Sequence, residues 1–271
     1  MKSVLKFENV TKQYSNRVTA LNNISFEVKE GEFISAAYTE YNIFEVIANS
    51  GYFWEFLLND FFPPIIPSAS KMPNIFSSVF TTIAMAVSAT TVAGIMAFFV
   101  SFFGSEHISP FPKAAKVVRG FVTFLRNIPA LVLAFILFSS FGIGTGVGFI
   151  ALTITSFSFM VRAFVETMED VSQDCIESLQ AVGANFPQRV IHGVIPSAIN
   201  SFLSWFLYCI EVNIRASTIV GMVGGGGIGL VLFSYIKSFK YSTASTIILL
   251  IAIMVILVDL LTGKLRKEVE K

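Results

Sequence analysis

From residue 74 onward the sequence is built of apolar runs about 20 residues long, the length that crosses a hydrocarbon core roughly 30 Å thick. Five runs can be drawn, at 76–103, 120–141, 147–165, 198–218 and 244–262. Hydrocarbon holds no water to pair with amides, so each run must satisfy its own backbone as a helix. The first is long enough to tilt or to emerge at one end. The expected fold is an all-α polytopic membrane protein. Composition agrees: 54% of the 271 residues are hydrophobic and 14% are charged, against about 25% charged in a soluble domain. That excludes a soluble enzyme.

The charges are unevenly spread. Nine of the 37 fall in residues 1–35, which alternate apolar and polar positions at 4–10 and 24–28, as half-buried strands do. A hairpin is expected there, turning near Asn22-Asn23, with a third strand starting at 33–35. Two strands alone are marginal in water, so this reads as a fragment. Residues 36–72 form a mixed, aromatic-rich segment, expected to be interfacial or extracytoplasmic. Within it, 41–58 suits a helix lying at a membrane surface, because two Glu and two Asn make it a poor span. The membrane domain is then 73–271.

Basic residues orient the spans. Lys113, Lys116 and Arg119 follow the first run, and Lys264, Arg266, Lys267 and Lys271 follow the last. Both groups fall on one face, the expected cytoplasmic one, together with the C-terminus and the 166–196 connection. Loops 142–146 and 219–243 fall opposite, although Lys237 and Lys240 weaken the contrast. Residues 1–72 are placed outside, an odd destination for a polar hairpin. Two Cys and two His, without ligand spacing, give no metal site, and no cofactor is expected. A net charge of +1 gives no reason to expect nucleic acid.

The 166–196 connection carries the most specific pattern. It is helical from Val171 to Val182, Gly183 suits a left-handed helix cap, and Pro187 suits the first turn of a second short helix. Two short helices parallel to the membrane would make a protruding knob. Glu177 stands six before Gly183, and Pro196 thirteen after it. This spacing resembles the EAA loop of bacterial ABC importer permeases, with Ser178 and Leu179 where the family has alanines. The bland alternative is an ordinary helical connection. The stretches Phe61-Phe62-Pro63-Pro64, Gly104-Ser105-Glu106, Leu125-Arg126-Asn127-Ile128-Pro129 and 211–218 narrow the resemblance to the phosphonate-type permeases, over about 38–271.

The resemblance implies an ABC type I importer permease fold that works as a homodimer in the inner membrane, in contact with the lipid bilayer. Its partners would be ABC ATPase subunits and an extracytoplasmic substrate-binding protein. It assigns Glu177, Ser178, Leu179, Gly183, Ala184 and Pro196 to ATPase coupling, with hydrolysis in the partner. The solute would be a phosphonate or related phosphorus oxyanion; the alternatives are a methionine-type or other small-solute importer.

Other residues are candidates for the pathway. Arg126 stands beside Pro129, which should kink the second span. Glu211 and Arg215, one helical turn apart in the fourth, make either a structural pair near the outer end or a contact for an anion. Gly224, Gly226 and Gly229 spell a formal G-x-G-x-x-G without the strand that a dinucleotide site needs. They are either a tight turn or, by the resemblance, a flexible extracytoplasmic segment at the gate. Asp259 is expected at the cytoplasmic end of the fifth span, facing water. The pairs Gly142/Gly146 and Gly144/Gly148 sit in a loop, where helix packing is not expected.

Residues 1–35 resemble the opening of an ABC ATPase subunit, with Tyr14 at the position of its adenine-stacking aromatic. Where that family places G-x-x-x-x-G-K-[ST], this chain reads Ala36-Ala37-Tyr38-Thr39-Glu40, so no ATP binding is expected. The permease family's usual first helix is expected to be missing. A junction between the two genes accounts for both observations, and a fusion product without transport activity is the further alternative.

Overall fold

The computed structural model describes residues 3–13, 19–29, 50–106, 108–109 and 111–269. They belong to two compact units, Met1–Asp60 and Phe61–Lys271.

In the first unit, β1 (Ser3–Gln13) pairs antiparallel with β2 (Thr19–Lys29). Phe7 lies opposite Phe26 and Gln13 opposite Thr19, with irregular register between. Both strands outrun the expected 4–10 and 24–28. The expected third strand and Tyr14 lie outside the described residues. Of the expected surface helix at 41–58, the described part is α1 (Ser50–Glu55) and the wide π-type turn Phe56–Phe61 after it. Tyr52, Phe53, Trp54 and Leu58 are exposed.

The described residues of the second unit form helices joined by short irregular segments, with no strand among them. In chain order it comprises α2 (Met72–Gly104), α3 (Pro112–Arg126), α4 (Ala130–Phe141), α5 (Thr145–Ala181), α6 (Phe186–Arg189), α7 (Ile195–Val220), α8 (Gly227–Lys237) and α9 (Tyr241–Val269). Four of the described helical segments are long and apolar enough to cross a membrane, or five if the bent pair α3–α4 counts as one span.

At the centre stands α2, because one of its faces is made of small residues. Thr82, Ala86, Ala89, Ala93, Ala97 and Ser101 recur every three or four positions and are fully buried. Where hydrocarbon removes the hydrophobic drive between helices, such a stripe permits the close backbone approach that holds them together. Four core clusters spread outward from it. Phe102, Met160, Phe164 and Phe202 join α2, α5 and α7. Met85, Ala134, Leu152 and Val220 bring in α4. Ile75, Ile228 and Ile247 fix α8 and α9, and Ala86, Ile214 and Met254 lock α9 onto α7.

Four expectations are corrected. The 120–141 span is not a kinked helix: α3 and α4 meet at 82°. The reason lies in α3, which begins at Pro112 and is amphipathic. It buries Ala115 and Val122 while leaving Lys116, Val117, Phe121 and Phe124 exposed. Secondly, α5 continues through the expected end of span three to Ala181. Its 37 residues, about 55 Å, outrun the membrane, and 171–181 is its last part rather than a separate helix. Thirdly, the 219–243 connection is no open loop, since α8 folds back within it and buries Ile228 and Leu232. Finally, Gly148 does pack: a Cβ there would come within 2.8 Å of the Gly225 carbonyl oxygen.

Candidate functional site

The break between α3 and α4 has a local cause. Proline disfavours helical backbone at the residue before it. Pro129 itself takes an extended conformation (φ −60°, ψ 143°) and becomes the N-cap of α4. Its carbonyl accepts from the amides of Val132 and Leu133. Beside this break lies a cavity of about 290 Å³, lined by Arg126 and Pro129, by Thr155, Ser156 and Ser158 of α5, and by Tyr208, Val212 and Asn213 of α7. Two sequence candidates, Arg126 and Pro129, thus meet there. Glu211 and Arg215 do not line it.

In the cavity wall stands a polar node. The buried Asn213 donates from Nδ2 to Thr90 Oγ1 of α2 at 2.7 Å and to Ser156 Oγ of α5 at 2.5 Å. Thr90 in turn donates to the Ala86 carbonyl. One amide therefore ties three spans. The sequence reading missed it, although a lone Asn inside an apolar run and the Thr155-Ser156-Phe157-Ser158 cluster were visible signals.

Glu211 and Arg215 form the expected i,i+4 ion pair. Glu211 is also approached by Arg266 of α9 at 3.6 Å, and Arg266 lies over the Tyr208 ring. With Met254 against Ile214 and Arg266 against Glu211, α9 runs antiparallel to α7, and the pair sits toward the C-terminal end of α9. Asp259, on the same helix, is exposed.

The glycine run forms the π-type turn Gly221–Gly225 between α7 and α8. Gly224 and Gly226 hold φ of 108° and 79°, in the region that disfavours side chains. Gly229 fits where its α-carbon nearly touches α7, and a Cβ on it would overlap the Thr218 carbonyl. The segment is buried: Gly221, Gly224, Gly225, Gly226 and Gly229 are all enclosed. The Ile228 amide donates to Thr82 Oγ1 at 2.8 Å.

At the far end of α5 the coupling candidates form a second region. Gly183 turns the chain with φ +79°, the expected left-handed cap, and the Ala184 amide returns to the Leu179 carbonyl at 3.0 Å. Asn185 and Gln188 make a capping box at the start of α6, with Pro187 in its first turn. Ser178 and Gly183 are exposed, Leu179 and Ala184 half-buried, and Pro196 opens α7. Glu177 lies on α5. Val182 at the tip is 79% exposed.

Residues 96–271 match the family described as "Binding-protein-dependent transport system inner membrane component". The chain is 34% identical over 187 residues to the phosphite transport system permease protein PtxC of Stutzerimonas stutzeri, covering 69% of this chain and 68% of that one. It is 27% identical over 195 residues to the phosphate-import permease protein PhnE of Mycolicibacterium smegmatis, covering 72% of this chain and 37% of that one. An inward-facing structure of the MetNI methionine ABC transporter shares the fold, with a TM-score of 0.67 at 20% identity, covering 75% of this chain and 99% of that one. The chain belongs to the binding-protein-dependent transport inner membrane components, the permeases of ABC importers, and groups with their phosphonate-type members.

Proposed function

We propose that this chain is the membrane subunit of an importer for phosphite, phosphonate or a related phosphorus oxyanion. The observation that carries the reading is its similarity to permeases named for phosphite transport and phosphate import. ATP hydrolysis takes place in a separate ATPase subunit. Residues 1–35, read as an ATPase-like fragment, take no part in it. The ATPase docks on the turn around Gly183, from Glu177 through Ala184, and Pro196 passes the movement into α7. An exposed Val182 beside a side-chain-free Gly183 supports this assignment, because apolar surface on a tight turn suits a partner's groove. Two copies of the chain enclose the pathway, and an extracytoplasmic binding protein delivers the solute.

The coupling turn then faces the cytoplasm, and so does the C-terminus, because α9 runs antiparallel to α7. Lys113, Lys116, Lys264 and Lys267 supply basic charge on that side, and Lys71, Lys237 and Lys240 belong to the opposite one. The glycine turn closes the outer end, where its backbone packs closely against the end of α7.

The test is uptake in cells producing the chain with its ATPase and binding protein. Labelled phosphite should accumulate and be competed by phosphonate or phosphate but not by methionine. Accumulation of methionine without any phosphorus oxyanion would overturn the reading in favour of a methionine-type importer. Insertion without transport of either would identify an inactive fusion.

A further inference from the structure

The cavity at the α3–α4 break contains a charge that the fold does not neutralise. Arg119, Arg162, Arg215 and Arg266 each meet a carboxylate: Glu169, Glu166, and, for the last two, Glu211. Arg126 meets none among the described residues, and it lines the cavity. The facing wall, Ser156 and Ser158, lies at the middle of the apolar stretch Thr145–Asp170. Arg126 itself is exposed, and the wall facing it combines these hydroxyls with a larger apolar surface; a guanidinium within a membrane span costs about 2.5–3.5 kcal/mol or more unless it finds a partner.

We propose that this cavity binds a tetrahedral phosphorus oxyanion in transit, with Arg126 as its charged contact. The proposal rests on the importer reading above and names the residues that read the solute. The planar fork of Arg126 matches two oxygens of such an anion. Asn213 fixes Ser156 opposite, so the hydroxyl wall is held in place rather than free to collapse. Thr155 and Ser158 spend their hydroxyl protons on backbone carbonyls, and their lone pairs remain to accept from a protonated oxygen of a monoanion. The amide of Ala130, a lining residue at the start of the 12-residue α4, has no backbone acceptor and adds positive character on the Arg126 side. Pro129, Phe159 and Val212 supply the apolar remainder. With one charged contact and no second cation the site binds weakly, as a way station must in order to release.

The experiment compares wild type, Arg126→Gln and Arg126→Lys in the complete complex with ATPase and binding protein. Direct binding of labelled phosphite and inorganic phosphate to the full chain in zwitterionic nanodiscs is measured alongside. Arg126→Gln should lower the turnover of oxyanion uptake at least tenfold and weaken direct binding by a similar factor. ATPase stimulation by loaded binding protein should persist, and Arg126→Lys should restore part of both losses. Equal uptake and binding in wild type and Arg126→Gln would overturn the proposal while leaving the importer reading intact. Absence of any phosphorus-oxyanion uptake by wild type would instead sink that reading. A lipid headgroup carries the same chemistry, so the nanodiscs are repeated with anionic lipid. If anionic lipid abolishes phosphate binding while Arg126→Gln leaves uptake unchanged, the cavity is a headgroup site and the proposal fails.

Discussion

Asn213 and Ser156 are joined by a 2.5 Å hydrogen bond across the α7–α5 contact, and the same amide nitrogen reaches Thr90 on α2. Interhelical hydrogen bonds in membranes average about 0.6 kcal/mol each. Asn213→Leu should therefore destabilise the folded chain by roughly 1 kcal/mol, counting both bonds. Thermal unfolding in detergent checks it: a clear fall in Tm with membrane insertion retained is expected, and an unchanged Tm would show that the node adds nothing.

The closeness of Gly229 to α7 leads to a sharper test. Gly229→Ala places a methyl on the Thr218 carbonyl, a backbone atom that cannot swing aside, so the glycine turn must open or α8 must shift. Overpacking of this kind costs about 1–3 kcal/mol. Gly120→Ala is the control, because it lies in α3 with open space around its Cβ, and alanine stabilises a helix interior by up to about 1 kcal/mol. The first variant should lose folded protein in size-exclusion profiles and the second should not.

At Gly183 the two reasons for glycine can be separated. The space around it is open, and only its φ of +79° disfavours a side chain. Asparagine tolerates that conformation, whereas other residues lose roughly 1–2 kcal/mol. Gly183→Arg should insert normally yet abolish uptake and ATPase co-purification, because its side chain fills the docking surface. Gly183→Asn should keep most of the co-purification. Wild-type uptake by the arginine variant would remove the docking role.

Glu211 holds two arginines, one from each of two helices. Glu211→Gln leaves both cations unneutralised beside apolar spans, so it should lower Tm more than Arg266→Gln does. A double-mutant cycle of Glu211→Gln and Arg266→Gln should return a coupling of about 0.5 kcal/mol or more, as expected for charges that share one network. Strict additivity would mean that the inter-helix contact carries no energy.

Membrane spans were legible because hydrocarbon imposes both length and helicity, so 76–103 anticipates α2 within a few residues. Helix ends were not, since a helix does not stop where the membrane does. Polar residues after Val165 end the apolar run, and yet the same α5 ladder continues to Ala181. At Pro129 a single proline does not distinguish a kink from a break; the amphipathic spacing of Val117, Phe121 and Phe124 before it was the missed sign. α8 was hidden because a run of four glycines reads as loop and draws attention from the apolar Ile228-Gly229-Leu230-Val231-Leu232 behind it. The turn at Gly183 was legible, because a left-handed glycine cap and a proline in the next helix's first turn are set by local chemistry alone. The cavity required three separate segments to meet, and no local pattern encodes that.

The most direct test of the account is ATP-dependent accumulation of phosphite in proteoliposomes containing the purified chain, its ATPase subunits and its binding protein. Accumulation above the external concentration is predicted, dependent on hydrolysable ATP and on external binding protein, and greatly reduced by Arg126→Gln. No accumulation of any phosphorus oxyanion from a complex that assembles and hydrolyses ATP would contradict it.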